Sequence, residues 1–351
     1  MRIPLAAALV LSLVHCAHRA PAPAALASVA SAPAASSEAL RGRVVSVLRH
    51  AGHRWAVLSA EAEGVDATGP ATLVQREDTV IVARAVRPEA LPAAMRTVQG
   101  ASLTLAASDG GRCRVTLGAP VLLARVHPHF GTLNRWEGRD EEGRQSAPRV
   151  DDTTVAAEAW SEYSDGRLLV APLTGEGCDA AAWGHAVDQP VTVFAGAPAL
   201  PALRDRALAA HRATTVWRDL QRVMTESGPA EARPAPGTRW DELSEAPRVT
   251  AWRAEGTGRV FVTVTSRHDG EGCGSFGGAV WTAWEQVGDA LVARSADTLD
   301  ATSLDFAPVE AVDADGDGAP DFLSAERVVG LGPEGYAERL GLRIAEHDCP
   351  C

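Results

Sequence analysis

Short runs in which apolar and polar side chains alternate restrict the possible folds of this sequence more than any other feature. These runs fill residues 40–197 and 248–294, and Gly, Asp and Pro separate them. A β-strand places successive side chains on opposite faces, so a period of two indicates strands with one buried face. The sequence therefore predicts a mostly β fold.

One segment has a helical period instead. Between residues 203 and 224, apolar side chains recur at spacings of three and four, which is typical of an amphipathic helix with one buried face. A stretch rich in Pro, Gly, Ala and Glu follows it. At the chain's length of 351 residues, this order predicts two β-rich domains, 39–200 and 241–351, joined by a connecting helix at 201–226 and a linker at 227–240.

The first residues are typical of an export signal. Arg2 precedes an apolar run at 5–14, which is too short to cross a bilayer. We therefore predict a signal peptide at 1–15. No later stretch reaches about eighteen consecutive apolar residues, so the sequence predicts no transmembrane helix.

The end of this apolar run, Leu-Val-His-Cys at 13–16, resembles the lipobox of bacterial lipoproteins. In that family, a peptidase cuts before a cysteine that has received a diacylglyceryl group, and a small residue stands where this chain has His15. The resemblance implies lipidation of Cys16, a membrane anchor at the bacterial cell envelope and an Ala/Pro/Ser-rich tether at 16–38. The alternative is ordinary signal-peptidase cleavage near 22–27, which would give a soluble secreted protein.

The cysteines are disulfide candidates because the envelope is oxidising. Apart from Cys16, the candidates are Cys113, Cys178, Cys273, Cys349 and Cys351. Pairing within each predicted domain joins Cys113 to Cys178, and Cys273 to one of the two tail cysteines. The remaining tail thiol is left free, paired between molecules, or part of a metal or redox site.

The net charge of -12 and the pI near 5.3 argue against a nucleic-acid partner, because binding to phosphate backbones requires a basic surface. Every fixed basic residue is Arg, whose planar fork suits carboxylates and phosphates. Codon usage in a GC-rich genome explains the same bias.

The tryptophans are numerous and dispersed. Of the nine, five lie in or near strand-like runs, and we predict that these belong to the core: Trp55, Trp183, Trp252, Trp281 and Trp284.

One short motif carries specific chemistry. Residues 313–321 read Asp-Ala-Asp-Gly-Asp-Gly-Ala-Pro-Asp. Alternate aspartates let a tight loop direct several oxygens at one centre, and Gly318 permits a sharp turn at position six. Hard oxygen ligands of this kind are typical of a calcium site.

The motif resembles the calcium loop of EF-hands and, more closely, the loops of the FG-GAP/VCBS repeats of integrin-like propellers. Its flanks, 307–312 and 322–329, have a strand pattern, and Ser324 stands where an EF-hand has a bidentate Glu. The resemblance implies side-chain ligation by Asp313, Asp315, Asp317 and Asp321, and ligation by the carbonyl of Ala319. The loop occurs once and no longer repeat is visible, so we predict a structural Ca²⁺ without a propeller. The alternatives are an Asp/Gly turn without an ion and a calcium-sensing or catalytic loop.

Two other constellations offer weaker chemistry. His127-Pro-His129 places two imidazoles close together, although no third metal ligand can be named. The glycine-rich turn at 273–278, with His268 upstream, lacks the frame of a hydrolase nucleophile turn.

The leading functional hypothesis is a non-catalytic envelope lipoprotein that binds a protein or polysaccharide partner. The alternatives are a secreted metal-dependent hydrolase built around His127 and His129, and a purely structural surface component. A pocket that joins both histidines to a carboxylate would favour the hydrolase. A grooved patch of exposed Trp and Arg would favour binding.

Overall fold

The structure is a computed structural model that describes residues 37–60, 62, 64–77, 79–107, 111–128, 130–162, 167–177, 179–226, 235–254, 256–269, 276–295, 305–342 and 345–346. The predicted signal peptide, Cys16 and all but the last two residues of the tether lie outside these ranges. The described residues belong to one compact unit. The predicted mostly β fold is confirmed. Within the described part of the chain, no helix combines the length and apolarity needed to cross a membrane.

The first half of the chain forms one sheet. Its strands are β1 (Val45–His50), β2 (His53–Ser59), β3 (Ala67–Arg76), β4 (Val80–Val86), β5 (Ser102–Ala106), β6 (Arg112–Leu117), β7 (Val121–His127), β8 (Arg167–Thr174) and β9 (Trp183–Ala186). Six of them close into a barrel in the order β2-β1-β9-β5-β6-β8, because β8 also pairs with β2. Strands β7, β4 and β3 continue from β8 as an extension.

The long strand β8 makes this branching possible. Its carboxyl end pairs with β6 through Leu173, and its earlier part pairs with β7 through Leu168, Leu169 and Val170. The inward side chains of the barrel strands form a core in which Leu103 and Leu105 have no exposed surface. Burial alternates along most of β5 and β6, as the sequence period predicts, whereas the middle residues of β7 and β8 are buried continuously.

Two helices pack on this core: α1 (Phe130–Trp136) and α2 (Asp152–Glu162). Trp136, the last residue of α1, is fully buried and donates its indole N–H to Glu158 at 2.7 Å. Arg76 holds the segment between the helices by donating to Glu137 at 2.6 Å and Asp152 at 2.8 Å. Its guanidinium also donates to the backbone carbonyls of residues 136 and 150.

The second half forms a separate antiparallel sheet. Its strands are β10 (Thr192–Pro198), β11 (Arg248–Ala254), β12 (Val260–His268), β13 (Gly278–Val287), β14 (Ala290–Ala293), β15 (Glu310–Asp313), β16 (Asp321–Leu323), β17 (Arg327–Gly332) and β18 (Gly335–Gly341). The strand order is β14-β13-β12-β11-β10-β15-β16-β17-β18. The sheet curls until its edges meet, where the amide of Tyr336 donates to the carbonyl of Arg294 at 2.8 Å.

Strand β10 lies in the middle of this second sheet, between β11 and β15. Residues 191–194 were predicted to belong to the first domain, 39–200, but the chain passes to the second sheet before β10. After β18, a short strand β19 (Ala345–Glu346) returns to the first sheet and pairs in parallel with β7. The predicted division into two domains at 227–240 is therefore not confirmed.

The helical segment is divided in two, as α3 (Pro201–Arg212) and α4 (Thr215–Glu226), with Ala213 and Thr214 between them. Leu203 and Ala207 of α3 pack against the outer face of β11 and β12. Helix α4 packs against Trp240 and β13. Both helices cover one face of the second sheet, and the predicted linking role is not confirmed.

Aromatic side chains fill the inside of the curl. Trp281 contacts Phe306, Phe322 and Tyr336 edge to face, with ring centroids 5.2–5.8 Å apart. The five tryptophans predicted to be in the core are at most 5% exposed, which confirms that prediction. Such contacts are directional as well as apolar, and they stabilise the packing inside the curl.

Candidate functional site

The predicted calcium loop connects β15 to β16. These strands pair through Glu310 with Leu323, Ala311 with Phe322, and Val312 with Asp321. Strands therefore flank the loop on both sides, as its resemblance to the propeller repeats implies.

Carboxylates and amides of the loop hold its backbone in a tight turn. Asp313 accepts hydrogen bonds from the amides of Gly316 at 2.6 Å and Gly318 at 3.0 Å, and Asp317 accepts one from Ala319 at 2.7 Å. Both glycines have positive φ angles of about 80°, a conformation that a side chain disfavours. The aspartates and glycines of the motif thus explain the turn together.

Three carboxylates converge in this loop. Asp313, Asp315 and Asp317 each offer an oxygen, and these oxygens lie within 4.8 Å of one another. The arrangement fits a hard divalent cation, which takes carboxylate oxygens and would offset the repulsion between them. In the described part of the chain this is the one such group of His, Cys, Asp or Glu side chains.

Asp321 is not part of this group of oxygens. Burial and the charge of Asp315 raise the pKa of Asp321 to about 7. Ala319 is buried. Ligation by Asp321 and by the carbonyl of Ala319 stays a prediction.

The loop is connected to its surroundings on two sides. The guanidinium of Arg259 donates to the carbonyl of Gly318. On the other side, the Gln189 side chain accepts from the amide of Gly42 at 2.9 Å and donates to the carbonyl of Ala314 at 2.5 Å. One amide group therefore joins the loop to the chain just before β1.

A larger feature lies beside the loop hairpin. An open groove of about 980 Å³ runs between β10 and β11 on one side and the ends of β5, β6 and β9 on the other. Residues 308–311 form another part of its wall. Its volume is in the range of ligand pockets in proteins.

The groove is basic and partly apolar. Arg112, Arg204 and Arg248 line it and are exposed, and their guanidinium groups have no hydrogen-bond or ion-pair partner among the described residues. Its one acidic side chain, Glu310, accepts a hydrogen bond from the indole N–H of Trp183, and burial raises the pKa of this carboxyl.

The histidine pair is not assembled into a site by the described structure. His127 ends β7 with its Nδ1 3.3 Å from the hydroxyl of Thr79, and His129 lies outside the described residues. Neither the groove nor the smaller cavity of about 300 Å³ beside the calcium loop is lined by His127.

A different histidine has the contacts of a catalytic dyad but not its accessibility. His211 of α3 lies with Nε2 2.8 Å from the hydroxyl of Ser266 and Nδ1 2.7 Å from that of Thr282. All three residues are at most 1% exposed. Because substrate has no path to them, this cluster is structural.

Cys113 lies on β6. The other five cysteines lie outside the described residues, as do residues 273–275 of the glycine-rich turn at 273–278. Strand β8, which pairs with β6, ends at Thr174, four residues before Cys178. The pairing of Cys113 with Cys178 stays a prediction.

No pattern in the sequence indicated the three groove arginines. They come from β6, α3 and β11, and no local spacing relates them. The available signal was the exclusive use of Arg, which also has a genomic explanation. In comparisons with known proteins, no family, no curated protein and no solved structure matches this chain.

Proposed function

We propose that this protein is a cell-envelope lipoprotein, anchored through Cys16, whose body is a non-catalytic binding module. The observation that carries this proposal is the open groove with three arginines on its walls whose guanidinium groups have no partner in the described part of the chain. Exposed guanidinium groups without partners are available to bind the groups of another molecule.

The chemistry of the groove favours binding over catalysis. Among its described lining residues there is no His, Ser or Cys, so a Ser–His or Cys–His pair of nucleophile and base cannot form there. Its one carboxyl, Glu310, is engaged by Trp183. No observation favours the alternative hydrolase at His127.

We also propose that Asp313, Asp315 and Asp317 hold a structural Ca²⁺, with Asp321 and the Ala319 carbonyl completing its ligands. The ion would supply positive charge to a loop that packs between the two sheets. Extracellular modules of this kind bind calcium with dissociation constants of about 0.1–1 mM. At 10 mM calcium, binding to the folded state alone would then stabilise the protein by about 1.5–3 kcal/mol.

The calcium proposal is tested by thermal unfolding in 10 mM calcium and in chelator. The wild type should melt several degrees higher with calcium, and Asp315→Ala should lose this difference. Asp205→Ala, on the exposed face of α3, is the matched control and should keep it. Equal melting of the wild type under both conditions would contradict the proposal.

The anchor is tested by labelling with palmitate and by fractionation of expressing bacteria. The wild type should carry label and sediment with membranes, and Cys16→Ser should lose both properties. A mature amino terminus near residues 22–27, without lipid, would instead identify a secreted protein.

The groove is tested by photo-cross-linking in the same cells. A photoreactive residue replaces Val309, which is 64% exposed in the groove, or Val287, which is 55% exposed outside it. Adducts of defined mass should form from position 309 and not from 287. Equal or absent adducts at both positions would refute binding through the groove.

A further inference from the structure

We infer that the groove binds an extended, acidic segment of a partner protein, which adds as a strand beside β10. This inference rests on the proposed function, because it names the ligand class of the same groove. Four observations carry it: a strand edge without a partner, unpaired arginines, exposed valines and the burial of the aromatic rings.

The strand edge comes from the unequal pairing of β10. On one side, β10 pairs with β11 from Phe194 to Pro198. On the other side, it pairs with β15 only from Thr192 to Phe194. Residues 195–198 therefore have a strand partner on one side only within the described structure, and all four are exposed. Such an edge is a template for an extended peptide.

The direction of the free backbone groups follows from the ladder. The amide of Ala199 donates to the carbonyl of Val249 at 3.2 Å, and bonding alternates along an antiparallel strand. Gly196 therefore directs its N–H and C=O away from β11, toward the groove, and Pro198 offers only its C=O. A Cβ at Gly196 would lie 2.6 Å from the ring of Trp252, so a larger residue there would displace the wall of the groove.

The positive charges that line the groove favour an acidic segment as its ligand. The whole chain carries a net charge of -12, yet three exposed arginines without described partners line this one groove beside a single glutamate. A guanidinium fork binds a carboxylate through two parallel hydrogen bonds. An acidic peptide is therefore attracted here, although most of the surface repels it.

The apolar surface favours a peptide over a polysaccharide. Val193 and Val309 are 48% and 64% exposed in the groove, where they can contact alternate side chains of an extended segment. The aromatic rings of the groove are not available for stacking on sugars, because Trp183, Phe194 and Trp252 are each at most 3% exposed.

The test measures binding of a fluorescent decapeptide, (Glu-Val)₅, to the purified mature protein by anisotropy. Replacing Arg112, Arg204 and Arg248 with Ala should weaken binding about thirtyfold, since each exposed ion pair is worth roughly threefold in affinity and the three factors multiply. The matched control replaces Arg87, Arg139 and Arg218, which are exposed outside the groove, and should bind as the wild type does. Circular dichroism checks that both triple variants fold.

Three results would overturn the inference: equal binding of (Lys-Val)₅, equal loss in both triple variants, or tighter binding of polygalacturonate or of phosphatidylglycerol vesicles than of the acidic peptide. If position 309 cross-links in cells and the peptide fails to bind, the ligand class is wrong and the groove remains a binding site. If position 309 gives no adduct, the proposed function itself fails.

Discussion

The buried histidine of α3 gives a quantitative prediction of how stability depends on pH. His211 has no exposed surface, and its two ring nitrogens contact the hydroxyls of Ser266 and Thr282. Burial, and secondarily the charge of Arg212, lowers the pKa of His211 to about 3. The folded protein therefore keeps this ring neutral at every pH at which an exposed histidine gains a proton.

The sign follows from proton counting. Between the unfolded pKa of about 6.5 and the folded pKa, the unfolded chain binds one more proton at this residue than the folded chain does. The free energy of unfolding therefore falls as the pH falls through this window, beginning near pH 6.5. Between pH 7.5 and pH 5, the loss from His211 alone is about 2 kcal/mol.

The assay is urea unfolding at several pH values from 7.5 to 5 in constant calcium, with wild type and His211→Gln. A glutamine amide can still bond to hydroxyl groups but does not titrate. Effects of all other groups are shared, so the wild type should lose about 2 kcal/mol more than the variant. His53→Gln, at an exposed position of β2, should show the wild-type slope. Parallel curves for wild type and His211→Gln would refute the reasoning.

Three further predictions concern the first half of the chain. Gly138→Ala should lower the free energy of unfolding by about 2 kcal/mol more than Gly143→Ala does, as measured by urea unfolding. Both glycines have positive φ, but only at position 138 would a Cβ meet a carbonyl oxygen, at 2.3 Å. Equal losses in the two variants would contradict this. Arg76→Ala should lower the free energy of unfolding by about 3 kcal/mol in the same assay. The side chain is only 4% exposed, and its removal leaves two carboxylates and two backbone carbonyls without this partner. A loss under about 1 kcal/mol would contradict this. Non-reducing peptide mass mapping should find Cys113 joined to Cys178, and a different partner would refute the predicted pairing.

The strands were largely predictable because their signal is local. Alternation predicts one strand at 113–117 and another at 121–126, and both are present as β6 and β7. Pairing is not local, so the same signal could not assign β10 to the second sheet, where its partners follow it by more than fifty residues. Trp136 is another such case, since its burial depends on the core that α1 and α2 cover.

The two parts of the candidate site also differ in whether their signal in the sequence is local. All the aspartates of the calcium loop fall within nine consecutive residues, so their spacing alone indicates an ion. The groove instead brings Arg112, Arg204 and Arg248 together from elements far apart in the chain. Only the folded chain shows that they share one surface and lack partners there.

The side-chain amide of Gln189 would transmit mechanical load between two parts of this protein. It bonds to Gly42, four residues after the predicted tether ends, and to Ala314 in the β15–β16 hairpin. Tension from the proposed membrane anchor would therefore act on the first sheet and on the β15–β16 hairpin together. The segment next to the proposed anchor and the loop proposed to hold calcium are bonded to the same side chain, so tension on the segment would reach the loop.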